Sequence, residues 1–277
     1  MPALEASVVS FLFSIAAGCL GALLGLGGGI IVVPVMTLVL GIDIRHAIAA
    51  SLVSIIATSS GAAAAYVRDG LANLRVAFFL EIGTVAGSMI GASLAGWLPA
   101  ATLQGLFGGL LAATAVLMLR NRAPRDAPVP PDPLADRLGL HGSVRDPATG
   151  RETPYRVTRS PLGLVLMVLA GILSGLLGVG AGILKVPALD LGMRLPIKVS
   201  SATSNLMIGV TAAAGAGVWL ARGDVRPMIA APVATGVLLG AMIGARLLPH
   251  VPSLWLRRVF VAVLLWVSGQ MIWRAFA

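Results

Sequence analysis

The chain has 277 residues, 57% of them hydrophobic and 11% charged, with a net charge of +9 and a mean hydropathy of +0.95. No soluble domain has an interior large enough to hide that much apolar surface, so composition excludes a soluble protein and indicates an integral membrane one. The positive charge does not mark a groove for nucleic acid. The arginines from Arg120 to Arg159 fall in one stretch, interleaved with Asp126, Asp132, Asp136, Asp146 and Glu152, the pattern of a solvated connection beside anionic lipid.

In chain order, the N-terminal stretch MPALEASVV lacks the positive region of a cleaved signal, so the first apolar segment is expected to stay in the membrane. Residues 8 to 40 are apolar for about 33 positions, too long for one crossing of roughly 20 residues. Gly27, Gly28 and Gly29 divide them, which predicts a helix to about Leu26, an irregular turn, and a short helix from about Ile30 to Leu40. Pro34 then falls near the start of the short piece, where its missing N–H matters little. A second span covers about Ala47 to Val67 and a third about Val76 to Trp97. The third carries Gly83, Gly87 and Gly91 at intervals of four, one small face along a helix. A fourth span, about Leu103 to Leu119, closes the first half. Residues 120–160 are rich in proline and charge with no periodic apolar face, which predicts an extended or weakly ordered linker.

The second half repeats the first. GCLGALLGLGGGIIVVPVM from Gly18 lies over GILSGLLGVGAGILKVPAL from Gly171, and Pro34 meets Pro187 at an offset of 153 residues. The register persists through Ser51 with Ser204, Tyr66 with Trp219, and Gly83, Gly87 and Gly91 with Gly236, Gly240 and Gly244. The predicted fold is an all-α integral membrane protein of about eight spans, two duplicated four-span repeats each beginning with a Gly-interrupted helix. The repeats cover residues 1–119 and 161–277. If each crosses four times, the halves run parallel, and both termini, the linker and the loops at Arg68 and Arg75 and at Arg222 and Arg226 all lie in the cytoplasm. An odd number of crossings, with the broken segment passing back, inverts one half on the other.

The segments GLGGGIIVVP at Gly25 to Pro34, GVGAGILKVP at Gly178 to Pro187 and KVSSATSNLMIG at Lys198 to Gly209 resemble those of the TauE/SafE sulfite exporter family, also called the toluene sulfonate uptake permease family. The resemblance covers essentially the whole chain. It implies a multi-pass carrier in the cell membrane for sulfite, thiosulfate, a sulfonate or a related small anion. It leaves the substrate, the direction of transport and the oligomeric state open. Ala181, in the place of a glycine, departs mildly from the first repeat.

An interrupted helix suits an anion inside a bilayer, because the free N–H groups that open its second piece carry partial positive charge. The candidate cradle is Gly27, Gly28 and Gly29 with Gly180, Ala181 and Gly182, and Pro34 and Pro187 are the helix breakers. Close packing of small residues is the plainer use of these glycines. Lys185, matched by Val32, is the candidate for attracting the substrate. A cation within a span costs at least about 2.5 to 3.5 kcal/mol, so it needs a task, a partner such as Asp190, or a snorkelling route. Glu81 is the candidate for proton coupling, or a counter-charge to Arg75 or Lys185. Ser51, Ser201, Thr203, Ser204 and Asn205 offer donors to oxyanion oxygens, or bonds between helices.

No cofactor is implied, and Cys19, the lone cysteine, rules out a disulfide framework or cysteine metal site. The expected partners are the small anion and membrane lipids. An intramembrane hydrolase needs an activated serine, but Ser60 and His46 stand about four turns apart on one predicted helix. No Gly-Lys-Ser/Thr follows either glycine cluster, which excludes a phosphate-binding loop. A channel or a structural membrane protein uses similar broken helices and stays open as an alternative.

Overall fold

The structure is a computed structural model describing residues 3–24, 28–120, 131–145, 152–180, 182–251 and 253–276. The first half comprises α1 (Ala3–Leu24), α2 (Gly29–Pro34) running into a π turn (Val35–Val39), α3 (Ile44–Arg68), α4 (Leu74–Ala95) and α5 (Ala100–Arg120). The connection holds α6 (Pro133–Leu138) and a hairpin of β1 (Gly142–Arg145) and β2 (Glu152–Tyr155). The second half comprises α7 (Ser160–Leu177), α8 (Gly182–Pro187) with its π turn (Ala188–Gly192), α9 (Ile197–Ala221), α10 (Pro227–Leu247) and α11 (Ser253–Phe276). The bounds of α2, its π turn and α3 recur 153 residues later in α8, its π turn and α9. Five helices (α3, α4, α7, α9 and α10) are long and apolar enough to cross a membrane, and α1, α5 and α11 carry shorter apolar runs.

Each proline sits at the last position of its short helix rather than in its first turn. Beyond it the ladder widens, with Leu40 N–H on Val35 O at 3.3 Å and Met193 N–H on Ala188 O at 2.9 Å. Proline has no N–H to continue the ordinary register, and a π turn absorbs the mismatch. Thr37 Oγ1 donates within reach of both Val33 O (2.9 Å) and Pro34 O (3.2 Å), satisfying carbonyls that lipid could not.

Helix directions follow from the contacts. The glycine face of α4 runs along α7: methyls built on Gly83, Gly87 and Gly91 meet Leu164 or Val168, then Val168 and Gly171, then Ile172, so the two are parallel. Gly236, Gly240 and Gly244 of α10 advance likewise along Phe11, Ile15 and Cys19 of α1. Glycine is required because backbone meets backbone: a methyl on Gly91 overlaps the Ile172 carbonyl. By contrast α3 and α9 are antiparallel, since His46, at the start of α3, bonds Asp224 O beyond the end of α9. At the other end the backbone of Asn73, beyond α3, donates to Thr203 near the start of α9.

Corresponding helices of the two halves therefore point in opposite directions. α1 and α3 both end on the same side, joined there through Tyr66 OH and Ala22 O at 2.9 Å, so the α2 segment must travel back between them. Each half consequently makes an odd number of passes, and the arrangement is inverted rather than parallel. This corrects the shared placement of linker and termini: the linker lies at one end of the bundle, and the start of α1 and the end of α11 lie at the other. Arg222 and Arg226 share the end that carries Arg45 and His46, opposite Arg68 and Arg75, for the same reason.

The described part of the connection is ordered, against the expectation of an extended chain. Asp132 caps α6 through Leu134 N–H (3.1 Å) and Ala135 N–H (3.0 Å), and also accepts from Ser160 N–H at the start of α7 (2.6 Å). Asn73 Nδ2 donates to Leu140 O (2.8 Å) and Tyr155 OH (3.0 Å), and Thr158 N–H to Met193 O (3.2 Å). Ala135, Leu140 and Val157 are buried with Val76 and Leu80 of α4, Met167 of α7, and Leu189, Met193 and Leu195. Apolar burial explains why so charged a segment holds its shape: it covers the end of the second broken helix.

Candidate functional site

The two interruptions meet. Gly28 (φ 76°), Gly178 (φ 69°) and Gly180 (φ 68°) adopt left-handed backbone that turns the chain between helix pieces. A methyl on Gly29 falls 2.7 Å from Ser51 Oγ and 2.9 Å from the Gly178 carbonyl, so α2 starts against the end of α7. Ser51 Oγ donates to Gly178 O at 2.8 Å. Gly28, Gly29, Gly180, Gly182, Pro34 and Pro187 are buried, whereas Gly27 and Ala181 lie outside the described residues.

The polar side chains expected to face an anion are largely bonded to backbone. Asn205 Nδ2 donates to Ala22 O (2.7 Å) and Ser201 O (3.1 Å), and Ser59 donates to Asn205 O (2.6 Å). Thr203 accepts from Asn73 N–H at 2.9 Å. Ser201 and Ser204 are buried on the same helix face, and Asn205 Oδ1 is buried with no hydrogen-bond partner among the described residues. Tyr66 and Trp219, aligned positions of which the tryptophan is also expected from sequence in an aromatic belt at the span ends, perform one task twice. Tyr66 OH serves Ala22 O near the end of α1, and Trp219 Nε1 serves Gly175 O near the end of α7 at 3.0 Å. The last carbonyls of a helix that stops inside a bilayer need such donors. Trp219 is thus an interior residue, unlike the exposed Trp97, Trp266 and Trp273.

Lys185 is fully buried, at 0% exposure. Its ammonium donates to Thr211 Oγ1 at 2.6 Å and lies 3.6 Å from Glu81 Oε2. Thr211 Oγ1 is also 2.6 Å from Glu81 Oε1. The Lys185, Glu81 and Thr211 side chains come from α8, α4 and α9, and Glu81 joins the first half to the second. Glu81, not Asp190, is the ion partner of the lysine, while Arg75 turns instead to Gly139 O at 3.0 Å. Glu81 Oε2 has no hydrogen-bond partner among the described residues, and its side chain is 12% exposed. Thr211 escaped the sequence reading, although its alignment with Thr58 at the 153-residue offset was available.

The equivalent place in the first half is different. A shallow open cleft is lined there by Phe13, Ala17, Val32, Met36, Leu40 and Val233 among others. Val32, Met36, Leu40 and Val233 match Lys185, Leu189, Met193 and Leu80 in the repeat. The lysine at this place belongs to the second half alone.

The hydrolase reading finds no support. Ser60 Oγ bonds its own helix at Ile56 O (2.8 Å) and His46 bonds Asp224 O (2.9 Å). Among the described residues no His, Cys, Asp and Glu group could hold a metal ion.

Comparison with known proteins agrees with this architecture. The family model described as Sulfite exporter TauE/SafE matches residues 10–271. The chain is 28% identical over 275 residues to the probable membrane transporter protein YunE of Bacillus subtilis, covering 96% of this chain and 97% of that one. It is 27% identical over 254 residues to the probable membrane transporter protein YdhB of the same organism, covering 90% and 92%. To the probable membrane transporter protein MamO of Magnetospirillum gryphiswaldense it is 29% identical over 208 residues, 69% of this chain but 32% of that longer one. No solved structure matches. A bundle of apolar helices with duplicated interruptions, matched nearly end to end by the family model, is a multi-pass membrane transporter and not an enzyme: the chain belongs to the TauE/SafE sulfite exporter family.

Proposed function

We propose that this transporter exports a small oxidised sulfur anion, sulfite or an organosulfonate, across the cell membrane with proton coupling. Lys185 supplies the positive charge that draws the anion in, and Glu81 takes up the accompanying proton. The observation that carries this reading is the fully buried ammonium, 3.6 Å from Glu81. A charge so placed is retained only where it has a partner or a task. Here its partner is a carboxylate that a single proton neutralises. With Glu81 ionised the pair carries no net charge, and with Glu81 protonated it carries one positive charge, which a monovalent anion cancels. The loaded and empty states then have equal charge.

Two inverted halves whose breaks meet at the centre suit alternating access about a fixed site. In this reading the glycine turns at Gly28–Gly29 and Gly180 let a substrate approach the backbone. The cleft beside Val32 lies on the side away from the linker, which covers the opposite end. The linker end also carries Arg68, Arg75, Arg137, Arg159, Arg194 and Arg246, against Arg45, Arg222, Arg226 and Arg274 at the other. Arginine-rich ends stay in the cytoplasm, so the linker is cytoplasmic and the termini are outside.

The test is flux in proteoliposomes over a panel of sulfite, thiosulfate, sulfonates and small carboxylates. Saturable sulfur-anion flux that Lys185→Ala removes is expected. Ohmic current makes the protein a channel, and parental flux in an inserted Lys185→Ala variant removes the lysine from the site.

A further inference from the structure

The Thr211 hydroxyl has one proton and three polar neighbours. Lys185 Nζ and Glu81 Oε1 stand at 2.6 Å, and the Met207 carbonyl one turn back in α9 at 3.0 Å. An ammonium only donates, so Lys185 occupies one lone pair of Oγ1. The hydroxyl proton then has two competing acceptors, Glu81 and Met207 O. While Glu81 is ionised, the charge-assisted bond to its carboxylate is the stronger.

A proton arriving on Glu81 Oε1 reverses that bond. The carboxylic acid donates to Thr211 Oγ1, the hydroxyl turns its own proton to Met207 O, and Lys185 faces a neutral neighbour where it faced an anion. One proton enters from solution and none leaves, so the group gains one positive charge. We infer that Thr211 is the positioning residue linking the protonation of Glu81 to the release of Lys185 for the anion, an inference that rests on the roles given to Lys185 and Glu81 above.

The repeat supplies a comparison within the molecule. Thr58 occupies the equivalent place in α3 and donates to Ser54 O at 2.9 Å, as Thr211 reaches Met207 O. The counterparts of Lys185 and Glu81 there are Val32 and Ala234. The bonds of Thr211 to an ammonium and a carboxylate have no counterpart at Thr58, because Val32 and Ala234 offer neither group.

Other ionisable groups are few around this place. α7, packed along α4, carries no titratable side chain, and α8 carries only Lys185. On α9 the other is Lys198 near its start, on α4 Arg75, which bonds Gly139 O, and on the π turn after α8 Asp190. Glu81 is the carboxylate that Thr211 touches.

The experiment compares the parental protein with Thr211→Val, Thr211→Ser and Thr58→Val, full-length in proteoliposomes, using sulfite as the probe. In the parental protein and in Thr58→Val, flux rises as pH falls. Thr211→Val is expected to lose that rise and to need about tenfold more sulfite for half-saturation, the loss of roughly one charged hydrogen bond, while Thr211→Ser restores both. A parental pH profile in Thr211→Val, or an equal loss in Thr58→Val, overturns the inference.

A second readout is independent of the substrate. Infrared difference spectra taken between neutral and acid pH are expected to contain a carboxylic acid C=O band that Glu81→Gln removes. That band is expected to shift in Thr211→Val and to stay in place in Thr58→Val; an unshifted band in Thr211→Val also overturns it. Absence of sulfite flux in the parental protein, with the band shifting as expected, counts against the proposed substrate and leaves the hydroxyl link standing.

Discussion

Removing one charge from the buried pair, and then both, separates what Lys185 and Glu81 do for stability from what they do for transport. At 3.6 Å and an effective dielectric of about 20, two unit charges attract by about 4–5 kcal/mol. That agrees with the roughly 3–5 kcal/mol lost when one partner of a buried pair is deleted and the other is left unpaired. Lys185→Met leaves Glu81 facing apolar packing, and Glu81→Gln leaves a fully buried ammonium with only Thr211. Each single variant is therefore expected to lower the unfolding midpoint in detergent micelles by on the order of 10 °C. The double variant Lys185→Met with Glu81→Gln removes both charges and is expected to regain most of that loss, because an uncharged pair of similar volume carries no desolvation penalty. The measurement is a thermal melt of the four proteins in one detergent. If the double variant melts as low as the singles, or if neither single shifts the melt, the two groups are not coupled as the distances imply.

Gly91→Ala places a methyl against the Ile172 carbonyl and is expected to separate α4 from α7, whereas Gly109→Ala has open space around it; melts should differ by at least about 1–3 kcal/mol, and equal melts contradict the close crossing. Tyr66→Phe withdraws one of two donors from Ala22 O and should cost about 1 kcal/mol; combined with Asn205→Ala it should cost clearly more than the sum of the two changes, and strict additivity would mean that the carbonyl does not need either donor. Asp132 is largely buried, which opposes its charge, but N–H donors from Ser160, Ala135 and Leu134 outweigh burial and hold its carboxyl below the ordinary aspartate value. Its contribution is therefore present above pH ~4 and is lost as the pH falls through the lowered value, so protease protection of the linker should weaken in strong acid, and Asp132→Asn should remove the pH dependence. Tags placed before α1 and after α11 should be reached from outside intact cells and a tag in the linker should not; labelling of all three from one side contradicts the odd pass number.

The duplication, the interruptions, the small face on α4 and the isolation of Lys185 were legible in the sequence because each rests on local pattern. Gly83, Gly87 and Gly91 announce a close helix crossing whatever lies across it. The identity of the partner does not: that α4 packs along α7, and α1 along α10, follows from how the inverted halves interlock. Inversion turned on whether residues 29–39 pass back across the bundle, and eleven residues in two short pieces with a proline between them carry no signal of direction. Once that pass is counted, the placement of every later loop changes side. The hydroxyls of Ser51 and Thr203 read equally well as ligands or as bonds between segments, and their geometry favours the second: Ser51 donates to Gly178 O and Thr203 accepts from Asn73 N–H. Glu81 and Lys185 were each visible as unusual charges, but their pairing joins residues more than a hundred positions apart, and Thr211, an ordinary helix threonine by sequence, acquires its role only from that pairing. The linker misled through composition: its prolines and charges suggested a loose chain, while Ala135, Leu140 and Val157 were enough to seat it.

The most direct measurement is saturable sulfite flux by the Lys185→Met, Glu81→Gln double variant in liposomes, normalised to correctly inserted protein. With its fold restored and its charges gone, it is expected to carry no sulfite above the empty-liposome background. Flux at the parental rate would mean that the buried pair only holds helices together and that the anion travels elsewhere.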